Sequence, residues 1–160
     1  MTITVGQNLQ EVTFRIPAED GASARTTSEI CKGRRVVLFA VPGAFTPTCQ
    51  NNHLPGYLNN LAAIKAKGVD EVWCVSVNDA MTMSAWGREC KAQGKVRMMA
   101  DGSAAFTQAV GLPLDLVAKG MGVRSQRYSM LIEDGVVKAL NLEAPGKFEV
   151  SGADKMLAQL

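Results

Sequence analysis

The sequence predicts one α/β domain, a central mixed β-sheet flanked by helices, and three observations carry that reading. Residues 36–41 (V-V-L-F-A-V) and 72–77 (V-W-C-V-S-V) are short, nearly uncharged, β-rich runs, the pattern of strands buried on both faces. Between them Leu54, Leu58, Leu61 and Ala62 recur at helical spacing up to Lys67-Gly68. Strand, helix, strand with short joins makes a βαβ unit, so the two strands run parallel with a right-handed crossover. Residues 127–132 and 136–142 are separated by Glu133-Asp134-Gly135, whose glycine predicts an antiparallel hairpin.

The 160 residues suffice for one substantial core, and 47% hydrophobic with 20% charged residues is an ordinary globular balance. A formal net charge of +2 and a lone Arg34-Arg35 pair argue against nucleic acid as a partner. No apolar stretch reaches the ~18 residues of a membrane span. The start, M-T-I-T-V-G-Q-N-L-Q, carries neither a secretory signal nor an Arg-rich transit pattern. Cysteines at 31, 49, 74 and 90 have no regular spacing and read as reduced thiols, which points to the cytoplasm. An organelle stays open for a form whose leader has been removed.

In chain order, residues 1–33 read as an extended lead-in. A strand over 12–16 ends at Pro17, Asp20-Gly21 marks a turn, and Ser28 caps a single helical turn over 29–31. Cys31 has no partner motif. The strand at 36–41 leads through V-P-G-A-F-T-P-T-C to the helix, where Pro55 frees a carbonyl and predicts a kink near Asn51. Asn78-Asp79 starts a helix whose Met83, Trp86 and Cys90 share a core-facing side, ending at Gly94. Residues 96–100 form a third central strand. Residues 104–110 form a short helix, stopped by Gly111-Leu112-Pro113. Residues 114–122 read as a loop with an apolar middle. After the hairpin, Ser151-x-x-Asp154 resembles a capping box opening a last helix to Leu160.

Cys49 sits where a strand ends and a helix begins, so unpaired N–H groups and the positive end of the helix dipole converge on its sulfur. That environment favours a thiolate, the nucleophilic form; an unperturbed thiol with a pKa of about 8.5 is only roughly 3% ionised at pH 7. Thr46, three residues earlier, is near enough to orient the sulfur or an incoming oxygen, and Pro42 and Pro47 stiffen the loop. His53 lies four residues after Cys49, a metal-ligand spacing, but no further Cys/His pair completes a site. It reads as a packing or hydrogen-bonding histidine. Arg127, at the start of the hairpin, is placed to reach across the sheet toward the Cys49 loop.

Pro42-x-x-x-Thr46-x-x-Cys49 resembles the active-site signature of peroxiredoxins, thiol peroxidases on a thioredoxin-like fold. V-P-G-A-F-T-P-T-C followed by H-L-P-G-Y is similar to the type II, or atypical two-cysteine, subfamily. So are G-V-D-E-V-W-C-V-S-V-N-D at 68–79, M-A-D-G-S-A-A-F at 99–106 and G-M-G-V-R-S-Q-R-Y-S-M-L at 120–131. The resemblance covers most of the chain in order. It implies reduction of hydrogen peroxide and alkyl hydroperoxides with no metal or cofactor. Cys49 is the attacking thiol, passing through a sulfenic acid. Arg127, within R-Y-S-M, matches the arginine that stabilises the thiolate and polarises the peroxide, a task suited to a permanently charged fork of donors. Regeneration by glutaredoxin with glutathione, or by thioredoxin, and a homodimer are implied too; Phe45 and residues 112–117 are large side chains in regions expected at the surface.

Cys74 matches the subfamily's second cysteine. A core residue in an apolar strand and a resolving cysteine that forms a disulfide with Cys49 both stay open. Two further classes compete. A thioredoxin-like disulfide reductase needs C-x-x-C at this turn, where Thr46-Pro47-Thr48-Cys49 has threonine first. A peroxide sensor of the same fold differs from the enzyme only in turnover with a thiol reductant.

Overall fold

The computed structural model describes residues 1–18 and 21–160. Its strands are β1 (Thr13–Ala18), β2 (Gly21–Thr26), β3 (Arg35–Ala40), β4 (Glu71–Ser76), β5 (Arg97–Ala100), β6 (Pro113–Leu116), β7 (Gly122–Ser125), β8 (Tyr128–Glu133) and β9 (Val136–Leu142). Its α-helices are α1 (Thr27–Cys31), α2 (Leu54–Asn59), α3 (Leu61–Ala66), α4 (Ala80–Glu89), α5 (Ala105–Ala109) and α6 (Ala153–Leu157). Seven strands form one sheet in the order β2-β1-β5-β4-β3-β8-β9. The strands β3, β4 and β5 are parallel neighbours, while β8 pairs antiparallel with β3 and β9 with β8. The sheet is mixed, as the βαβ pattern and the hairpin require.

Burial on both faces explains the unbroken apolar runs. Val37, Phe39, Cys74, Met98 and Leu131 pack on one side with Cys49, Leu54, Tyr57 and Trp86. Val36, Leu38, Trp73, Val75, Tyr128 and Met130 pack on the other with Phe14 and Phe106. The alternation is the period of two expected of strands, read within one hydrophobic run. The helix α2 docks on β3 through Phe39, whose ring stacks on Tyr57 at 4.1 Å with 2° between planes.

Several local expectations are corrected. Pro17 does not end the first strand: it lies within β1 and pairs with Ala22 of β2, so the lead-in contains a hairpin arm. The strand β1 meets β5 only at Arg15↔Ala100, which leaves Pro17 on an otherwise unpaired stretch where a missing N–H is tolerated. The turn expected at Asp20-Gly21 depends on Asp20, outside the described residues. The cap of α1 is Thr26, in a reciprocal capping box with Glu29, rather than Ser28; the Ser28 hydroxyl donates to Glu11 instead. Residues 114–122 are not a plain loop. The short strand β6, a single 3₁₀ turn and β7 form a two-stranded antiparallel sheet. Four-residue strands bounded by Pro113, Gly120 and Gly122 are too brief to show their alternation through the turn residues. Finally, Ser151 does not cap the last helix; Gly152 occupies that position without a side-chain bond, because the Ser151 hydroxyl is engaged by Glu143.

Candidate active site

After β3, Val41 extends the sheet by one bond to Val75, and residues 42–46 carry the chain to a helix beginning at Pro47. Proline suits a first helical position, since its missing N–H would be unpaired there anyway. The first helical bond runs from Gln50 N–H to the Thr46 carbonyl at 2.9 Å. Cys49 therefore lies in the first turn, whose N–H groups have no carbonyl partner within the helix. Its side chain is fully buried.

The kink expected from Pro55 takes a specific form. Cys49–His53 is a π turn, closed by Leu54 N–H donating to the Cys49 carbonyl. Pro55 has no N–H to return to Asn51, and the helix accommodates the gap by widening to i→i+5 bonding before resuming as α2.

Arg127 lies one residue before β8, and Tyr128 pairs with Ala40, so the register sets Arg127 beside the end of β3 where the Cys49 loop departs. Its two terminal nitrogens divide between two targets. Nη2 donates to Cys49 Sγ at 3.2 Å, and Nη1 meets His53 Nδ1 at 2.9 Å. A guanidinium only donates, so Nδ1 accepts and the imidazole proton sits on Nε2. Nε2 in turn donates to the Ser151 carbonyl at 3.0 Å, which also accepts the Tyr57 hydroxyl at 2.9 Å. Burial and the adjacent Arg127 cation push His53 down to about 3, despite the opposing Ser151 bond, so the ring is neutral at physiological pH.

The Thr46 hydroxyl donates to the Gly43 carbonyl at 2.7 Å. Its proton is committed, which leaves its lone pairs as acceptors. A Cβ on Gly43 would lie 3.1 Å from Thr46 Cγ2 and 3.2 Å from Arg124 Nη1, so glycine there lets both side chains close on the loop. Pro42 is half-buried at the loop's start. Cys74 sits in β4 beside Phe39 of β3, within the same core cluster as Cys49. Both thiols are free. Burial drives the Cys74 thiol well above its ordinary range, with the neighbouring Cys49 adding to it. Cys31 packs on the opposite face of the sheet, and Cys90 ends α4 half-buried at the edge of the Cys49 cluster.

The structure brings Arg127 onto Cys49 and sets Thr46 in the loop three residues before it, and no pattern in the sequence pointed to what holds them. Phe148 lies over His53 with ring centroids 4.8 Å apart and 5.9 Å from the Arg127 guanidinium carbon. Buried Glu143 accepts the N–H groups of Glu149, Val150 and Ser151 and the Ser151 hydroxyl, at 2.7–2.9 Å. Burial alone would raise the Glu143 carboxyl, but those bonds hold it below the usual carboxylate range. No local motif marks such a residue, because its partners lie six to eight positions away in a loop without periodicity.

Among the described residues, no cluster of three or more His, Cys, Asp or Glu side chains has metal-binding geometry, and no helix is long and apolar enough to cross a membrane.

A family profile described as Redoxin matches residues 4–157. The chain is 48% identical to a chloroplastic peroxiredoxin-2E-2 of Oryza sativa subsp. japonica, over 99% of this chain and 73% of that one. It is 43% identical to peroxiredoxin-2B of Arabidopsis thaliana, over 99% and 98% respectively. It superimposes on reduced Prx3 of Vibrio vulnificus in complex with hydrogen peroxide with a TM-score of 0.95, at 49% identity and 99% coverage of both chains.

Proposed function

The chain belongs to the Redoxin family and is a peroxiredoxin, a thiol-dependent peroxidase on a thioredoxin-like fold, and from that premise we propose how its residues divide the reaction. Cys49 is the attacking thiol. Arg127, Thr46 and the N–H groups of the first helical turn hold the peroxide, and Pro42 shapes the loop that presents them. The observation that carries the assignment is the Arg127 Nη2 to Cys49 Sγ contact of 3.2 Å at a helix start.

The Cys49 thiolate attacks the distal oxygen of the hydroperoxide, forming the S–O bond as the O–O bond breaks. The distal oxygen keeps its hydrogen and leaves as part of the sulfenic acid. The proximal oxygen departs with the electron pair and takes a proton to become water or an alcohol. Negative charge moves from sulfur to that leaving oxygen, so donors that follow the charge stabilise the transition state more than the ground state. Arg127 suits this because its fork is fixed from behind by His53, leaving Nη2 aimed at the reacting line. Thr46, whose own proton is held by Gly43, accepts the hydroperoxide's O–H and orients it.

Hydrogen peroxide and small alkyl hydroperoxides are the proposed substrates. A thiol reductant then restores Cys49, either through a Cys49–Cys74 disulfide reduced by thioredoxin or through glutathione and glutaredoxin. A homodimer is proposed as well, supported by exposed Phe45 in the Cys49 loop and by exposed Val117. Phe45 also holds a positive φ of 64°, a strained conformation for an aromatic residue kept at the surface. A location in the cytoplasm or another reducing compartment fits the unpaired cysteines. Single-turnover peroxide consumption by Cys49→Ser tests the central assignment: loss of the fast step is expected, and wild-type rates would overturn it.

A further inference from the structure

Behind the reacting sulfur runs a continuous chain of hydrogen bonds that ends on one carboxylate. Cys49 Sγ accepts from Arg127 Nη2, Arg127 Nη1 donates to His53 Nδ1, and His53 Nε2 donates to the Ser151 carbonyl. The segment carrying Ser151 is irregular, and three of its successive N–H groups, from Glu149, Val150 and Ser151, converge on Glu143. Such a concave run of N–H groups is an anion cradle, and here the anion belongs to the protein itself. The Ser151 hydroxyl adds a fourth donor at 2.7 Å. Glu143 is also bonded to the far end of the chain: its own N–H donates to the Arg127 carbonyl at 3.0 Å, extending the β8–β9 ladder by one step.

Four donors are more than a carboxylate needs to anchor a loop, and their arrangement has a directional result. With its N–H groups turned toward Glu143, the loop presents the Ser151 carbonyl to His53 and Tyr57. That carbonyl can only accept, so it selects the Nε2–H tautomer of His53. The tautomer leaves Nδ1 as an acceptor, and an acceptor at Nδ1 is what holds Nη1 and so aims Nη2 at the sulfur. The opposite tautomer would set an N–H against the guanidinium and push Arg127 away.

We infer that Glu143 is a positioning residue of the peroxidase reaction, acting through the Ser151 carbonyl and the His53 tautomer to hold the Arg127 fork on Cys49. It touches neither the sulfur nor the peroxide. This rests on the assignment of Cys49 and Arg127 above, and extends it to a residue outside the signature loop.

The test is Glu143→Gln, which keeps size but removes the charge and replaces one acceptor oxygen with an NH2 donor; even with its oxygen toward Val150 and Ser151, that NH2 faces the Glu149 N–H. Single-turnover peroxide consumption should slow by ~10- to 100-fold, the scale of a misaligned reacting group. The chain has one histidine, so its ring ¹⁵N shifts report the tautomer directly; wild type should show Nε2–H alone, and the variant a mixture. A double variant with His53→Gln should be no slower than His53→Gln by itself, because both changes break the same chain. Rates within twofold of wild type with an unchanged tautomer, or penalties that multiply in the double variant, would overturn the inference. Should Glu143→Gln fail to fold, Ser151→Ala removes only the hydroxyl bond. It should show the same tautomer drift with a rate loss of ~3- to 10-fold, and the absence of both effects would count equally against Glu143. A Cys49→Ser variant that stays active refutes the reading of the site. An inactive Cys49→Ser beside an unaffected Glu143→Gln refutes the positioning role alone.

Discussion

Phe148 covers His53, with ring centroids 4.8 Å apart, and so closes the side of the imidazole not already enclosed by Phe39 and Tyr57. Desolvation and the Arg127 cation both disfavour a second positive charge there, which is why the ring is pushed down to about 3. The imidazole NMR signals of the folded protein should therefore stay in the neutral form across pH 5–8. The sign of the stability effect follows. Between about 3 and 6.5 the unfolded chain binds the proton that folded His53 refuses, so its contribution is complete above about 6.5 and is lost as pH falls. Glu143, held below the usual carboxylate range, acts in the same direction lower down, its contribution being lost as pH drops through its depressed pKa. Urea unfolding should show stability falling by on the order of a few kcal/mol from pH 7 to pH 4, and His53→Gln should flatten that slope above pH 5. A folded-state His53 midpoint between 6 and 7 would contradict this account.

Arg127 joins the two ends of the π turn, Cys49 and His53, with one planar group. Arg127→Gln loses the charge and should slow the peroxide step by ~10²–10³-fold. Arg127→Lys keeps the charge but supplies no fork, and should fall between the two. Both variants should unfold cooperatively, since the guanidinium is only half-buried and the strand around it is tied by backbone bonds. Stopped-flow single turnover with a urea titration checks the pair; equal rates for Arg127→Gln and wild type would remove arginine from the mechanism.

Much of this arrangement could be read from residues alone, and the limits have physical causes. The strand β3 and the helix after Cys49 announce themselves because burial writes apolar runs and helical spacing locally. Arg127 becomes visible through its R-Y-S-M context more than through periodicity, which would leave it a surface residue. Pro55 signalled a disturbed helix, but whether the chain bends or widens into a π turn depends on what packs against it, here Phe39 on Tyr57. Glu143, Phe148 and Ser151 were silent. Their roles arise when a loop of irregular backbone folds onto one carboxylate, and no spacing rule encodes that. Ser151 even carried a false signal, since the S-x-x-D pattern of a helix cap conceals a hydroxyl used by Glu143.

Thr46 offers a narrower test. Its hydroxyl proton is committed to Gly43, so we expect its part in the reaction to be as an acceptor for the peroxide O–H. Thr46→Ser retains that acceptor and should stay within a few-fold of wild type. Thr46→Val keeps the shape and removes the oxygen, and should slow the peroxide step by ~10-fold or more. Equal rates for the two variants in single-turnover measurements would assign Thr46 to loop packing only.

Regeneration turns on Cys74. Its thiol is fully buried in β4, beside Phe39 of β3, and protonated at neutral pH by that burial. Forming a Cys49–Cys74 disulfide means that the Cys74 sulfur attacks the Cys49 sulfenic sulfur and water leaves. That geometry requires Cα atoms within about 7 Å and facing Cβ vectors; both thiols are free and buried in the folded site, so we expect the first turn after Cys49 to open. The π turn is suited to opening, because its wide bonding is already irregular and Pro55 contributes no N–H to it. Opening also withdraws Cys49 from Arg127, and Arg127 remains held by His53. We therefore expect the disulfide step to be slower than the peroxide step and to accelerate in mild urea. Peptide mass mapping after one equivalent of peroxide should find some intramolecular Cys49–Cys74 bond. Cys74→Ser should then lose turnover with thioredoxin and keep it with glutathione and glutaredoxin, where glutathione attacks the sulfenic acid itself. An absent bond, with Cys74→Ser turning over like wild type on both reductants, would leave Cys74 a core residue and make the enzyme a one-cysteine peroxidase.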